Sequence, residues 1–157
     1  MANQMRWRYG DTQPVMAAVL SATVIEIGDI VYLDSGTAKP AAAQADAGTE
    51  AGNQEALHDK FLGVALGASR DGDTAAIRVA TRGTFEFACP SGTYALGDLL
   101  GPKEATSGTA LENQTLKGVA TANLALGRCT QTVSEASTRV LLEIVSTVLH
   151  GGPQVMA

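Results

Sequence analysis

Residues 77–89 alternate in side-chain character. Ile77 and Val79 flank Arg78, and Phe85, Phe87 and Cys89 enclose Glu86 and Ala88. A period of two belongs to a strand with one buried and one wet face, since successive side chains point to opposite sides of a sheet. Strands of that kind build antiparallel sheets. Gly83 sits between the two halves and predicts a bend there. Pro90-Ser91-Gly92 predicts the end of the second half.

Other segments read the same way. Strands are expected over 15–20, over the β-branched run 30–33, over 61–67, within 119–129 and over 138–149. Residues 38–41 return along an edge, because Pro40 cannot donate to a central ladder. Residues 42–56 and 101–115 have no strand period and are expected to be long polar loops. The first leads into a candidate helical turn over 53–60, capped by Asn53. The expected fold is all-β: a small antiparallel β-barrel or sandwich with long polar loops and an extended N-terminal arm.

One short pattern recurs. Ile25-Glu26-Ile27-Gly28-Asp29-Ile30-Val31 and Tyr94-Ala95-Leu96-Gly97-Asp98-Leu99-Leu100 share the order apolar, any, apolar, Gly-Asp, apolar, apolar. The physical content is a turn feeding a strand, with the Asp able to bind local backbone donors. Leu124-Ala125-Leu126-Gly127-Arg128-Cys129 is a weaker relative, and it shares Ala-Leu-Gly with residues 65–67. A short recurring β unit follows as an expectation.

The N-terminus carries the chain's single Trp. Met5, Trp7 and Tyr9 alternate there with Arg6 and Arg8. Two readings stand side by side: an arm laid on a neighbouring subunit, or a segment that packs on its own domain or frays. The division expected is an extended arm over 1–14, a β-rich domain over 15–149 and a flexible C-terminal tail over 150–157.

Charge narrows the function classes. The net charge is -5, and the 11 Lys and Arg residues form no dense run in the sequence, residues 5–9 being the nearest approach. Binding to a nucleic-acid backbone needs clustered cations, so no direct nucleic-acid partner is expected. No apolar run reaches the roughly 18 residues of a membrane span, and no signal-peptide pattern opens the chain. Cys89 and Cys129 fall in apolar strand contexts and read as buried free thiols, with a bridge between them left open.

No catalytic constellation emerges. His58 and His150 lie in different elements without a third ligand at metal spacing. Asp29 and Asp98 are better explained as turn residues than as a carboxylate pair. Asp71-Gly72-Asp73 is too short for a calcium loop of about 12 residues. The expectation is a protein that is not an enzyme and has no metal or cofactor. Low aromatic content, 4%, argues against a carbohydrate-binding or adhesin module.

The order of these motifs carries a resemblance. Residues 25–34 with Gly28-Asp29, then Phe61-Leu62-Gly63-Val64-Ala65, then residues 77–87 with Gly83 and Phe85, then Leu96-Gly97-Asp98-Leu99 resemble the small β-rich head decoration (cement) proteins of tailed bacteriophages and prophages. The resemblance spans about residues 25–145. It departs at the second module, where Leu99-Leu100 replace Ile30-Val31. It implies structural turns at Gly28, Asp29, Gly63, Gly83, Gly97 and Asp98. It also implies a virion protein made in the host cytoplasm that binds the capsid surface, with the major capsid protein as partner and a homo-oligomer, a trimer, as its form. Met5, Arg6, Trp7, Arg8 and Tyr9 are then the suspected capsid or subunit contacts. Another virion or tail structural subunit is the alternative.

Overall fold

The alternating and β-branched segments do become strands. The computed structural model describes residues 4–106 and 108–155. Its strands are β1 (Arg6–Tyr9), β2 (Val15–Ala17), β3 (Ile30–Asp34), β4 (Thr37–Pro40), β5 (Phe61–Ala65), β6 (Ile77–Ala80), β7 (Arg82–Tyr94), β8 (Leu99–Glu104), β9 (Leu111–Gly118), β10 (Gly127–Cys129) and β11 (Val133–Val145). Helix α1 spans Glu50–Lys60 and α2 spans Thr147–His150, with 3-10 turns at Ala41–Ala43 and Ala122–Leu124.

Two sheets result. One has the order β2-β6-β5-β3-β4. The other has the order β1-β7-β11-β10-β8-β9, and a parallel contact between Ala88 of β7 and Thr115 of β9 closes its last five strands into a barrel. The all-β class and the small barrel read from the sequence are what the chain forms.

The two sheets are one plan used twice. Putting β7, β8, β9, β10 and β11 in place of β2, β3, β4, β5 and β6 turns the first strand order into the second. The parallel bridge Ala18–Thr37 is the counterpart of Ala88–Thr115. A 3-10 turn follows β4 in one unit and β9 in the other.

The Gly-Asp modules match bond for bond. Asp29 N–H donates to Glu26 O, and Asp98 N–H to Ala95 O. The carboxylate Oδ2 of each Asp accepts from the N–H three residues earlier, at 2.9 Å in both. The glycine before each Asp has φ of +97° and +91°, a left-handed conformation that suits Gly and strains other residues. Gly28 N–H and Asp29 O bond Ala65 as Gly97 N–H and Asp98 O bond Cys129. Two residues before those partners stand Gly63 and Gly127. A Cβ would lie 1.8 Å from Ala80 O at Gly63 and 1.9 Å from Glu143 O at Gly127. The recurring β unit expected from short motifs is thus a whole five-strand unit.

Both faces of the first sheet are covered. Ile30, Tyr32, Phe61 and Val64 join Phe85, Phe87, Leu100 and Leu142 in a core shared by the two units. Their strand neighbours Val31, Leu62 and Ala65 point the other way, into a second cluster with Ile25, Ile77 and Val79. That explains why every residue of β5 is buried.

Five local expectations are corrected. Residues 42–56 are not all loop: α1 begins at Glu50, its cap is Thr49, whose side chain accepts from Gly52 N–H, and Asn53 is a buried residue inside it. Asn53, Gln54 and His58 hold α1 to the second unit, bonding the carbonyls of Thr109, Pro102 and Ala125. A helix docked by polar side chains shows no apolar stripe in its sequence. Residues 101–115 are mostly the β8–β9 hairpin, whose inward residues include Leu111 and the buried polar Gln114 and Thr115. β7 continues through Pro90, because pairing with β11 is irregular between Ser137 and Arg139, where no donor is required of it. Residues 119–126 form no strand, and β11 stops at Val145 because Ser146 caps α2.

Candidate interaction surface

The N-terminal strand is held from below. Met5 is buried in the shared core and lies against Gly28. Gln114 Oε1 accepts from the N–H groups of Gln4 (2.8 Å) and Met5 (3.2 Å). Its Nε2 donates to Ile27 O (3.3 Å) and to Asp29 Oδ1 (3.0 Å). One buried amide therefore ties β1, the first Gly-Asp turn and β9 together, with its bonding capacity filled. Burial pushes the Asp29 carboxyl above its ordinary range, against the opposing bonds from Gln114 and the Glu26 N–H.

Beyond Met5 the strand is open. β1 pairs antiparallel with β7 of its own chain and has no second strand neighbour among the described residues. An edge strand presents unpaired backbone N–H and C=O groups. All four β1 residues are exposed, Trp7 by 54% and Tyr9 by 52%. The simple alternation of residues 5–9 does not hold. The register shifts between Trp7 and Tyr9, so Trp7 lies opposite Phe85 and Tyr9 opposite Thr84, on the other face. A bulge of this kind re-aims side chains.

Arginines converge where the sequence shows no cluster. Arg6 is opposite Glu86, Arg139 opposite Ala88, Arg82 opposite Val145 and Arg128 opposite Glu143. Partners across a ladder share a face, so these side chains, with Arg8 beside Glu86, lie on the outer surface of β1, β7, β11 and β10. Two shallow cavities mark it. One of about 390 Å³ is lined by Tyr9, Asp11, Arg82, Thr84 and Glu143, two carboxylates to one guanidinium. One of about 290 Å³ is lined by Arg8, Glu86, Arg139 and Leu141. Arg128 donates to Gly97 O (2.7 Å) and Gln154 O (2.6 Å), and Arg139 to Gln4 O. Strand register creates this patch, and register is not written in the spacing of the arginines.

The remaining expected residues are structural. Gly28, Asp29, Gly97 and Asp98 build the paired turns. Gly63 permits close approach of backbone, and Gly83 (φ +118°) stands beside the Phe85 ring at the start of β7. His58 Nδ1 lies 2.7 Å from Ala125 O, and His150 Nε2 lies 3.1 Å from Thr81 Oγ1. Cys89 and Cys129 are buried free thiols, both pushed up by burial. Among the described residues no group of three His, Cys, Asp or Glu side chains could hold a metal, and no helix is long and apolar enough to cross a membrane. Gly152 and Pro153, in the expected tail, are buried. No protein-family model matches the chain, and no curated protein matches its sequence significantly.

Proposed function

We propose that this protein is a capsid decoration protein, bound to the outer surface of an assembled viral shell and stabilising contacts between major capsid subunits. The observation that carries the reading is β1: a strand fixed at one end by Met5 and Gln114, with an open backbone edge and four exposed residues that include Trp7 and Tyr9. An open edge offers main-chain bonds to an extended segment of a partner, and exposed aromatics are typical anchors of an interface. Two fused β units give a rigid body for such a strand. A protein that binds the assembled shell and not its free subunits stabilises the shell by mass action. It would be made in the host cytoplasm and reside on the virion.

The test is co-sedimentation with purified shells, with occupancy counted by electron microscopy. Wild type should saturate the shells and raise their disassembly temperature. Trp7→Ala with Tyr9→Ala should lose most of the occupancy while the isolated protein keeps its melting temperature, since both side chains are half exposed. Undiminished occupancy of that variant, or no binding by wild type, removes the reading.

A further inference from the structure

Three cavities on the second unit join into one groove. The cavity of about 390 Å³ beside Tyr9 and the next, of about 200 Å³, share Arg82 and Glu143 as walls. The second cavity and a third, of about 410 Å³, share Arg128. The groove therefore crosses β7, β11 and β10 in turn. Its first part lies where the chain passes from β1 of one sheet to β2 of the other, and junctions between folded units are favoured places for ligands. The wall there is braced. Asp11 Oδ1 accepts from Gln13 N–H (3.0 Å), Thr12 O accepts from the N–H groups of Thr81 (2.9 Å) and Arg82 (3.2 Å), and Trp7 Nε1 donates to Gly10 O (3.3 Å). Further along, Arg128 is fixed by its bonds to Gly97 O and Gln154 O. A groove held in this way leaves little to be ordered when a ligand arrives.

The lining selects the chemistry of the ligand. Asp11 and Glu143 balance Arg82 and Arg128, and none of the four forms an ion pair among the described residues. Gln13 and Asn123 add side-chain amides. Donors and acceptors thus stand side by side without net charge. A polyol needs that mixture, because each hydroxyl both donates and accepts. Tyr9, 52% exposed at one end of the groove, offers a flat apolar ring on which the C–H face of a sugar can lie. Other occupants fit less well. A nucleic-acid backbone would meet Asp11 and Glu143 among the cations it needs. An extended peptide would find no open ladder, since β7, β11 and β10 are each paired on both sides.

We propose that this groove binds a neutral oligosaccharide, with one sugar ring stacked on Tyr9 and the sugars beyond it hydrogen-bonded by Asp11, Arg82 and Glu143. The planar fork of Arg82 can donate to two neighbouring hydroxyls at once, and each carboxylate can accept from two. A chain longer than one sugar is needed to span the three cavities. The aromatic content of 4% counts against a module built on several stacking rings; this groove uses one. The inference concerns the isolated protein and does not rest on the shell reading.

The full chain, screened on an array of neutral and charged oligosaccharides, tests it. The neutral oligosaccharide bound best is then titrated by calorimetry and by the fluorescence of Trp7, whose indole bonds Gly10 in the cavity wall. Neutral saccharides should bind, and their affinity should persist at about 0.5 M salt, where the screening length falls to about 4 Å. The constituent monosaccharide should bind more weakly by about tenfold or more, having lost at least one charge-assisted hydrogen bond. Arg82→Gln with Glu143→Gln should weaken the oligosaccharide by a similar factor. Tyr9→Ala should do the same, whereas Tyr9→Phe keeps the ring and should bind as wild type does. Thermal melts of each variant check that it is folded. An array on which no neutral saccharide binds overturns the proposal, as does binding confined to charged saccharides or abolished by salt. So does an affinity that is equal for the monosaccharide, or unchanged by both Tyr9→Ala and the paired Gln variant.

Discussion

Gln114 Nε2 lies 3.0 Å from Asp29 Oδ1, and this bond joins the turn of the first unit to β9 of the second across 85 positions of chain. The same amide receives the N–H groups of Gln4 and Met5. Removing it takes a partner from two backbone donors, the Ile27 carbonyl and the Asp29 carboxylate. Each unsatisfied buried group costs about 1–3 kcal/mol. Gln114→Ala is therefore expected to lose on the order of 3 kcal/mol in denaturant unfolding, and to free β1. Trp7 is the only tryptophan, so its fluorescence should report the loosening below the main transition. Faster amide exchange at residues 4–9 would accompany it.

Asp29 gives that latch a pH dependence. Burial raises its folded-state pKa above the unfolded value of 3.8. The folded protein then holds the proton more tightly than the unfolded chain does. The contribution of Asp29 to stability is full below 3.8 and declines as pH rises through the raised folded value. Asp29→Asn cannot titrate, and its amide NH₂ must face either Gln114 Nε2 or the Glu26 N–H, donor against donor, at a cost of about 1–3 kcal/mol. The stability difference between wild type and Asp29→Asn should narrow from acid to neutral pH. Urea midpoints across that range check it, and a constant or widening difference contradicts the assignment.

The repeat makes its own prediction. Gly63 and Gly127 hold equivalent places, and at each an added Cβ would sit within 2 Å of a carbonyl oxygen of the next strand. Gly63→Ala and Gly127→Ala should each destabilise by about 3 kcal/mol or more, the upper range for forced overpacking. Gly118 has open space around its Cβ position. Gly118→Ala should be neutral, or stabilising by about 0.5 kcal/mol, since Gly is the costlier residue in a strand. Thermal melts of the three variants separate the cases.

The strands and the latch differed in how legible they were, and the reason is range. Period-two alternation is local, so β6 and the first half of β7 could be read from residues 77–89. The Gly-Asp turns were legible because their bonds close within four residues. The pairing of the two modules into full units was visible only as short echoes, since β4 and β9 share no sequence pattern. α1 was half seen, because Asn53, Gln54 and His58 dock it by hydrogen bonds to distant carbonyls. Gln114 carried no signal at all. A lone Gln in a polar stretch looks like a loop residue until the β8–β9 hairpin turns it under β1. The arginine face was hidden for the same reason, its members coming from residues 6, 8, 82, 128 and 139.

Glu50 ties α1 to the hairpin and should respond to pH in the sense opposite to Asp29. Its carboxylate meets Lys117 Nζ at 2.7 Å and accepts the N–H of Glu104 at 3.0 Å. Burial alone would raise its pKa, but the bonds to Lys117 and Glu104 outweigh burial and hold it below the ordinary 4.5. The unfolded chain then takes up the proton first as pH falls. The stability due to Glu50 is present above 4.5 and is lost as pH drops through the depressed folded value. The ion pair is about one-third exposed on both sides, so solvent screening limits its worth to about 1 kcal/mol. Glu50→Gln should therefore lose about that much at neutral pH and approach wild type in acid. Because α1 carries its own cap at Thr49, the helix should persist in this variant, with unchanged far-ultraviolet circular dichroism. A loss that grew toward acid pH would reverse the sign argued here and assign the role of Glu50 to something other than its charge.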